Sequence, residues 1–248
     1  MPVAKSWLLR FVLAVLCSAA AAFAAPEATK AELEARAIIT EIKGRVPAEG
    51  YASTGRLKIR DANGKRREVA IAMKVVPGTN TWTTEYTALS EAGKPSEALV
   101  VERTIGGAVR SRVLSGPEGE SKEVVDAGWY LPFAGSDFLR LDLSIAFLDW
   151  PNQKLLKREM KKSRPCRVIE SAPAMVSKEG YSKVMSWVDA ETGDIVMARA
   201  YDAQNRVLKE FHVGGVRKVN GQWEVKEIEM VNEQTDSATR LEFDPIKR

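Results

Sequence analysis

Short stretches in which apolar and polar residues alternate recur along most of this chain, with turn-forming residues between them. Leu57 and Ile59 lie in one such stretch and Val69 to Val75 in the next, joined by Asp-Ala-Asn-Gly at 61–64. A period of two places every second side chain on one face, so each stretch predicts a strand with one buried face. Further stretches lie at 81–87, 98–105, 108–114, 154–161, 166–171, 181–189, 195–202, 207–213, 223–231 and 239–244. Their short connectors require antiparallel neighbours, so the sequence predicts a mainly β (α+β) fold with one large, curved antiparallel sheet.

Two segments have helical periodicity instead. Thr29 to Glu32 has the sequence of a capping box, and the apolar spacing after it predicts a helix that ends near Gly44. A second helix is predicted over 136–150, capped near Ser136 and ended by Pro151. One face of this second helix carries Phe138, Leu141, Ile145 and Leu148, and the opposite face carries Leu139, Leu143, Phe147 and Trp150.

The second helix therefore has too many apolar sides for a surface helix, which needs only one apolar stripe. It must be covered on a second side or face an apolar space. Two interpretations follow: the helix is packed between the sheet and loops, or it is a lid over an apolar pocket.

The start of the chain has the pattern of an export signal. Lys5 and Arg10 are followed by the apolar run 11–25, which is shorter than the roughly 20 residues of a membrane helix. Small residues at 22 and 24 predict cleavage after Ala24. We therefore expect a signal peptide over 1–24 and a single mature domain over 25–248. Cys17 is not expected to carry a lipid, because the residue before it, Leu16, is large where a small one is required.

Charge and reactive side chains exclude several classes of function. The chain has 37 Lys and Arg against 33 Asp and Glu, a net charge of +4. Without Lys5 and Arg10 the balance is 35 − 33 = +2, too weak to predict a nucleic-acid partner. His212 is the single histidine, so any Ser-His-Asp or Cys-His arrangement would have to use it. Cys166 is the single cysteine of the mature chain, so the sequence offers no internal disulfide and no metal signature. We expect no enzyme and no cofactor, a hydrogen-bonded or solvent-facing His212, and a buried, structural Cys166 thiol.

The second half of the chain resembles the outer membrane lipoprotein-sorting family, the LolA-like proteins of Gram-negative bacteria, which share the LolA/LolB/RseB-type fold. The resemblance rests on several modest motifs in the right order over roughly 129–243. These motifs are Gly-Ser-Asp-Phe at 135–138, Asp149, Pro-Cys-Arg-Val-Ile-Glu-Ser-Ala-Pro at 165–173, Tyr-Ser-Lys-Val-Met-Ser-Trp-Val-Asp at 181–189, Tyr201-Asp202, Leu208-Lys209 and Trp223.

This resemblance implies a periplasmic protein with a half-open β-barrel, closed by helices over an apolar cavity. In the better-studied carriers of this fold the cavity holds the acyl chains of a lipoprotein. The implied partners are a lipoprotein or other acylated lipid cargo and inner- or outer-membrane proteins, and we expect a monomer. An arginine on an early strand is associated with the lid in those carriers. Arg56, Arg60, Arg66 and Arg67 are the candidates here, and none is assigned from sequence.

Large apolar side chains then become the candidate lipid-binding residues. The predicted cavity and lid residues are Met73, Trp82, Trp129, Leu131, Phe133, Phe138, Leu141, Ile145, Leu148, Trp150, Met185, Trp187, Met197 and Met230. Two alternatives remain open. The first is a sensor or regulator on the same fold that binds lipoproteins and a protein partner. The second is a hydrolase or structural protein with a closed, packed core.

Overall fold

The computed structural model describes residues 28–115, 119–178, 180–219 and 222–245, without the side chains of residues 219, 222 and 223. The predicted signal segment 1–24 and Cys17 lie outside these ranges. Thirteen strands dominate the described chain: β1 (Tyr51–Arg60), β2 (Arg66–Pro77), β3 (Thr81–Leu89), β4 (Pro95–Thr104), β5 (Arg110–Ser115), β6 (Glu120–Glu123), β7 (Asn152–Lys161), β8 (Arg164–Ala172), β9 (Lys183–Asp189), β10 (Ile195–Tyr201), β11 (Val207–Val219), β12 (Gln222–Asn232) and β13 (Ser237–Phe243).

All thirteen strands form one antiparallel sheet in the order β6-β5-β4-β3-β2-β1-β13-β12-β11-β10-β9-β8-β7. The first strand pairs with the last, with Leu57 opposite Leu241. The edges are β6 and β7, so the sheet curls without closing. The predicted mainly β fold with one large, curved antiparallel sheet is confirmed. Strand β6 was not predicted, because Glu-Ser-Lys-Glu at 120–123 has no apolar alternation, and all four of its residues are exposed.

Helix α1 (Lys30–Lys43) confirms the capping-box prediction. Thr29 Oγ1 accepts a hydrogen bond from the Glu32 N–H at 3.3 Å, and Glu32 Oε2 accepts one from the Thr29 N–H at 2.7 Å. The helix ends at Gly44, as expected. Its buried Ala35, Ile38 and Ile39 pack in a core cluster with Leu155 of β7, so α1 covers the sheet beside this open edge.

The chain between the two sheet edges, 124–151, is called the lid segment here. It lies on the inner face of the sheet, where Phe133 and Phe138 pack with Leu57, Leu99 and Leu241. It contains a 3₁₀ helix (Asp126–Tyr130), a single α-helical turn, α2 (Arg140–Leu143), and a second 3₁₀ helix (Ala146–Asp149).

The prediction of one helix over 136–150 is therefore wrong. Ile145 interrupts it with left-handed backbone angles, φ 39° and ψ 39°. Side chains of the sheet contact the lid segment on both sides of this break. Ser144 is fully buried, and its hydroxyl lies 3.0 Å from the Ser111 hydroxyl. The Gln153 amide donates to the Trp150 carbonyl at 2.8 Å. The break also sends Phe138 and Leu148 into different core clusters, so both apolar sides that the sequence indicated are covered.

Candidate functional site

A cavity of about 350 Å³ lies between the lid segment, the end of α1 and strands β9 to β12. Ile145 and Phe147 form its wall on the lid side, and Ile42 of α1 contributes at the helix end. The opposite wall is the inner face of the sheet and carries Val184, Ala198, Ala200, Phe211 and Met230. Because the two alanines are small, the lid and the sheet enclose space here rather than packing directly.

One corner of this cavity is polar. It consists of Asp142 of α2, Tyr181 just before β9, and Lys209 of β11, and it is called the polar corner below. The Tyr181 hydroxyl lies 3.1 Å from each Asp142 carboxylate oxygen, and the Leu139 N–H donates to Asp142 Oδ2 at 2.9 Å. Lys209 is only 7% exposed, and its Nζ donates to the Asp137 carbonyl oxygen at 2.5 Å.

Burial shifts all three titratable groups of the polar corner. It raises the pKa of Asp142, although the nearby Lys209 ammonium and the Leu139 and Tyr181 hydrogen bonds act to lower it. It lowers the pKa of Lys209 against the opposing effect of Asp142. It also raises the pKa of Tyr181 well above its ordinary value, assisted by the adjacent Asp142 charge. Burial thus disfavours the charged form of both Asp142 and Lys209, while each of the two charges stabilises the other.

Charged side chains on the inner face of the sheet hold the backbone of the lid segment. Arg67 of β2 donates from Nη2 to the carbonyl oxygens of Ala134 at 2.9 Å and Gly135 at 2.6 Å. From β4, Glu97 accepts a hydrogen bond from the Ala134 N–H at 2.9 Å. These contacts fix the turn that leads into Phe138.

Further contacts hold the second half of the lid segment. Arg140 pairs with Glu97 at 3.1 Å, and both side chains are largely buried. The half-buried guanidinium of Arg103 on β4 donates to the Ser144 carbonyl oxygen, directly before the break at Ile145. Asp149 accepts a hydrogen bond from the Val109 N–H at 2.7 Å and pairs with Lys43 of α1. The lid segment is therefore fastened along its length, not only packed by apolar contact.

Comparison with solved structures identifies the fold. A putative outer membrane lipoprotein-sorting protein domain from Vibrio parahaemolyticus superposes with a TM-score of 0.71 at 19% identity, covering 87% of this chain and 92% of that one. A DUF1329 family protein from Desulfovibrio piger gives 0.70 at 16% identity, with 88% and 93% covered. A LolA superfamily protein from Nitrosomonas europaea gives 0.59 at 15% identity, with 86% and 92% covered. This chain has a LolA-like fold.

Sequence comparisons add little to the LolA-like assignment. A family described only as an uncharacterized protein matches residues 131–248. No curated protein matches the sequence. The solved structures share the fold of this chain at 15–19% identity, which shows a half-open barrel and does not identify a ligand.

The predicted site residues divide into those that line the cavity, those that are buried in the core around it and those that are exposed. Ile145 and Met230 line the cavity. Phe133, Phe138, Leu141 and Leu148 are buried in the core around it, and Trp129 and Trp150 pack against that core. Trp82 is buried and Met73 half-buried on strands β3 and β2. Leu131 is 49% exposed, so it belongs to the surface rather than to a cavity wall.

Met185, Trp187 and Met197 do not face the cavity. They form a separate cluster with Cys166 and Val168, while the alternate residues Val184 and Ala198 face inward. Placing them in the cavity was wrong, because strands β9 and β10 are apolar on both faces and the sequence does not show which face is inner. The outer cluster is covered by charged side chains. Lys161 lies 5.3 Å and Arg199 5.6 Å from the Trp187 ring centre, and Glu159 accepts from its Nε1 at 2.6 Å.

Several cavity-lining residues were not predicted from sequence, among them Phe147, Ala198 and Ala200. The charged residues that hold the lid segment or line the cavity were also not assigned, although Arg67 was among the arginine candidates. Each charged residue is an even number of positions from an inward-facing apolar residue of its strand, so it lies on the same face. On β2 this pair is Arg67 and Ile71, and on β11 it is Lys209 and Phe211. On β4, Glu97 and Arg103 share the face of Leu99 and Val101. A charged residue that occupies the apolar face of a strand can be recognised from the alternation pattern alone, and it indicates a polar contact on the inner side of the sheet. The same rule separates Arg67 from the other three arginine candidates, because Arg56, Arg60 and Arg66 have the opposite parity to the buried residues of their strands.

A second, more open groove of about 620 Å³ lies on the other side of the lid segment. Trp129, Trp150 and Val109 line it, together with Met175 and Val176 from the connection between β8 and β9. Met175 is 86% exposed and Val176 50%, so this groove ends in an exposed apolar rim.

The two reactive side chains named from sequence, His212 and Cys166, both lie in strands of the sheet. His212 lies on β11, and its Nε2 is 3.1 Å from Glu229 Oε2 on the neighbouring strand. Cys166 is buried and unpaired, as predicted. Among the described residues no three His, Cys, Asp or Glu side chains are grouped to hold a metal ion. No helix within the described ranges is long and apolar enough to span a membrane.

Proposed function

We propose that the protein is a non-enzymatic binding protein of the periplasm that holds an acyl chain of a lipoprotein or other lipid, in outer membrane lipoprotein sorting. The observation that carries this proposal is the cavity that Ile145 and Phe147 of the lid segment enclose against Ala198 and Ala200 of the sheet. A mostly apolar, preformed cavity is the usual form of a small-molecule site. The similarity of the fold to a putative lipoprotein-sorting domain supports the same function.

The size of the cavity limits its load. At about 30 Å³ for each water-sized atom, 350 Å³ holds roughly a dozen heavy atoms, which corresponds to one medium acyl chain. A triacylated lipoprotein would therefore require the lid segment to move or two chains to stay outside. Burying a dozen methylenes gains about 10 kcal/mol at 0.8 kcal/mol each, and association costs about 4–15 kcal/mol. The balance favours reversible binding, as a carrier requires.

The test begins with native mass spectrometry of the exported protein, purified from a periplasmic fraction without detergent, followed by denaturing extraction. We expect one acylated molecule per chain. The variant Ala200→Leu fills the cavity and should abolish binding of a fluorescent acyl probe without loss of stability. The control Ala70→Leu makes the same change at an exposed position of β2 and should bind the probe normally. An empty protein that fails to bind the probe would overturn the proposal.

The second candidate function is a sensor that binds a protein partner, and the exposed apolar rim at Met175 and Val176 favours it. A photo-crosslinking residue at Met175, used in the periplasm, would test this directly. The control position is Met160 of β7, which is 64% exposed and lies outside the groove. A discrete product with one membrane protein from position 175 alone would support the sensor. Equal labelling from both positions would exclude it.

A further inference from the structure

The polar corner is unexpected in a cavity built for hydrocarbon alone. A buried ammonium in an apolar wall is costly unless its donors are used. Lys209 has three N–H donors, and its single hydrogen bond to the described residues uses one of them, at the Asp137 carbonyl. It forms no ion pair with any carboxylate of those residues, so donor capacity remains at the cavity wall.

The charges around Lys209 restrict what can use that capacity. Asp142 and Asp137 act on it through space, and Asp137 is itself held by the Thr239 hydroxyl at 2.7 Å. At the exposed end of the cavity, Arg45 is already paired with Glu41 at 2.7 Å and Asp194 at 3.5 Å. Neither end of the cavity has unbalanced positive charge. A ligand carboxylate or phosphate would add a further negative charge to a buried site, which is unfavourable without a free cation.

From this arrangement we infer that the cavity selects an acyl chain with a neutral ester or amide head, whose carbonyl oxygen accepts a hydrogen bond from Lys209 Nζ. The inference rests on the proposed function and names its ligand class. The chain of such a ligand lies along Ile145, Phe147, Ala198 and Ala200, and its carbonyl sits in the polar corner. Free fatty acids and acyl phosphates are disfavoured by the carboxylates of Asp137 and Asp142.

Three ligands of equal chain length test this inference on the unmodified mature protein. They are dodecane, methyl laurate and laurate, each used to displace a bound fluorescent acyl probe. A hydrogen bond from a charged donor favours methyl laurate over dodecane by about tenfold or more. Laurate should be no stronger than methyl laurate. Equal displacement by dodecane and methyl laurate would overturn the carbonyl site, and a clear preference for laurate would overturn the neutral head.

Variants assign the effect to Lys209. Lys209→Met should make displacement by methyl laurate equal to displacement by dodecane, while Lys209→Gln, which keeps an N–H donor, should retain part of the preference for methyl laurate. The control Lys226→Met removes an exposed lysine of the neighbouring strand and should have no effect. If Lys209→Met does not fold, the ligand series on the unmodified protein still decides. Absence of any probe binding would instead overturn the proposed function, so the two failures are distinguishable.

Discussion

The guanidinium of Arg67 lies directly against the backbone of Gly135. Its Nη2 donates to the Gly135 carbonyl oxygen at 2.6 Å, and a Cβ atom at residue 135 would lie 2.7 Å from the same nitrogen. Gly135 also has a φ of +62°, which side chains rarely adopt. Two features therefore disfavour a side chain at residue 135: its left-handed backbone angle and the nearby guanidinium of Arg67.

Gly135→Ala should destabilise the protein more than the backbone angle alone explains. We expect about 1–2 kcal/mol from the left-handed angle. The hydrogen bonds lost when the exposed, flexible end of Arg67 is displaced add up to about 1 kcal/mol. Urea unfolding measures the sum. Gly64→Ala is the matched control, because Gly64 has φ +79° and open space where Cβ would lie. Equal losses for the two variants would show that Arg67 contributes nothing, and Arg67→Ala should lessen the cost of Gly135→Ala.

Arg103→Met should loosen the centre of the lid segment. The substitution removes the donor to the buried Ser144 carbonyl, an effect of about 1–3 kcal/mol. Hydrogen exchange of the amides at 140–149 should accelerate more than that of the strands. Arg110→Met, at an exposed position of β5, serves as the control. Unchanged exchange in Arg103→Met would mean that apolar packing alone holds this part of the lid segment.

The features of the fold that could be predicted are those that depend on residues close together in sequence. Strand alternation and the Thr29 capping box depend on neighbours in sequence, so the sheet and α1 were predictable. The break at Ile145 depends on Arg103 and Ser111, which lie far from it in sequence, and no helical pattern reveals them. The cavity depends on a difference of size, Ala198 and Ala200 against large neighbours, and on a face assignment that β9 and β10 conceal by being apolar on both sides.

Cys166 should be unreactive toward thiol reagents in the native protein. Its side chain is buried, and burial raises the pKa of the thiol, so the reactive thiolate is scarce. Labelling with a chromogenic disulfide should proceed only as fast as the protein opens, and urea should accelerate it in parallel with unfolding. Rapid labelling of one thiol per chain without urea would contradict this expectation and show that the outer cluster around Trp187 opens readily.

Asp189 should make the stability of the fold depend on pH in the acid range. Burial opposes its ionisation, but Arg164 at 2.7 Å and the N–H groups of Glu191 and Thr192 outweigh it and lower the pKa below the ordinary 3.8. The unfolded chain therefore takes up this proton first as pH falls, so the stabilisation is complete above about pH 4 and is lost as pH drops through the lowered pKa. Asp189→Asn should lose about 1–3 kcal/mol at neutral pH, and the difference from the unmodified protein should shrink in acid.

Urea unfolding at several pH values measures this difference. Glu191→Gln is the control for Asp189→Asn, since it removes an exposed carboxylate from the same turn and leaves the hydrogen bonds of Asp189 intact. Its stability should stay within about 0.5 kcal/mol of the unmodified protein. A constant difference between Asp189→Asn and the unmodified protein from neutral pH to strong acid would mean that the turn depends on the shape of the side chain. A difference that disappears in acid would mean that it depends on the carboxylate charge, held against burial by Arg164.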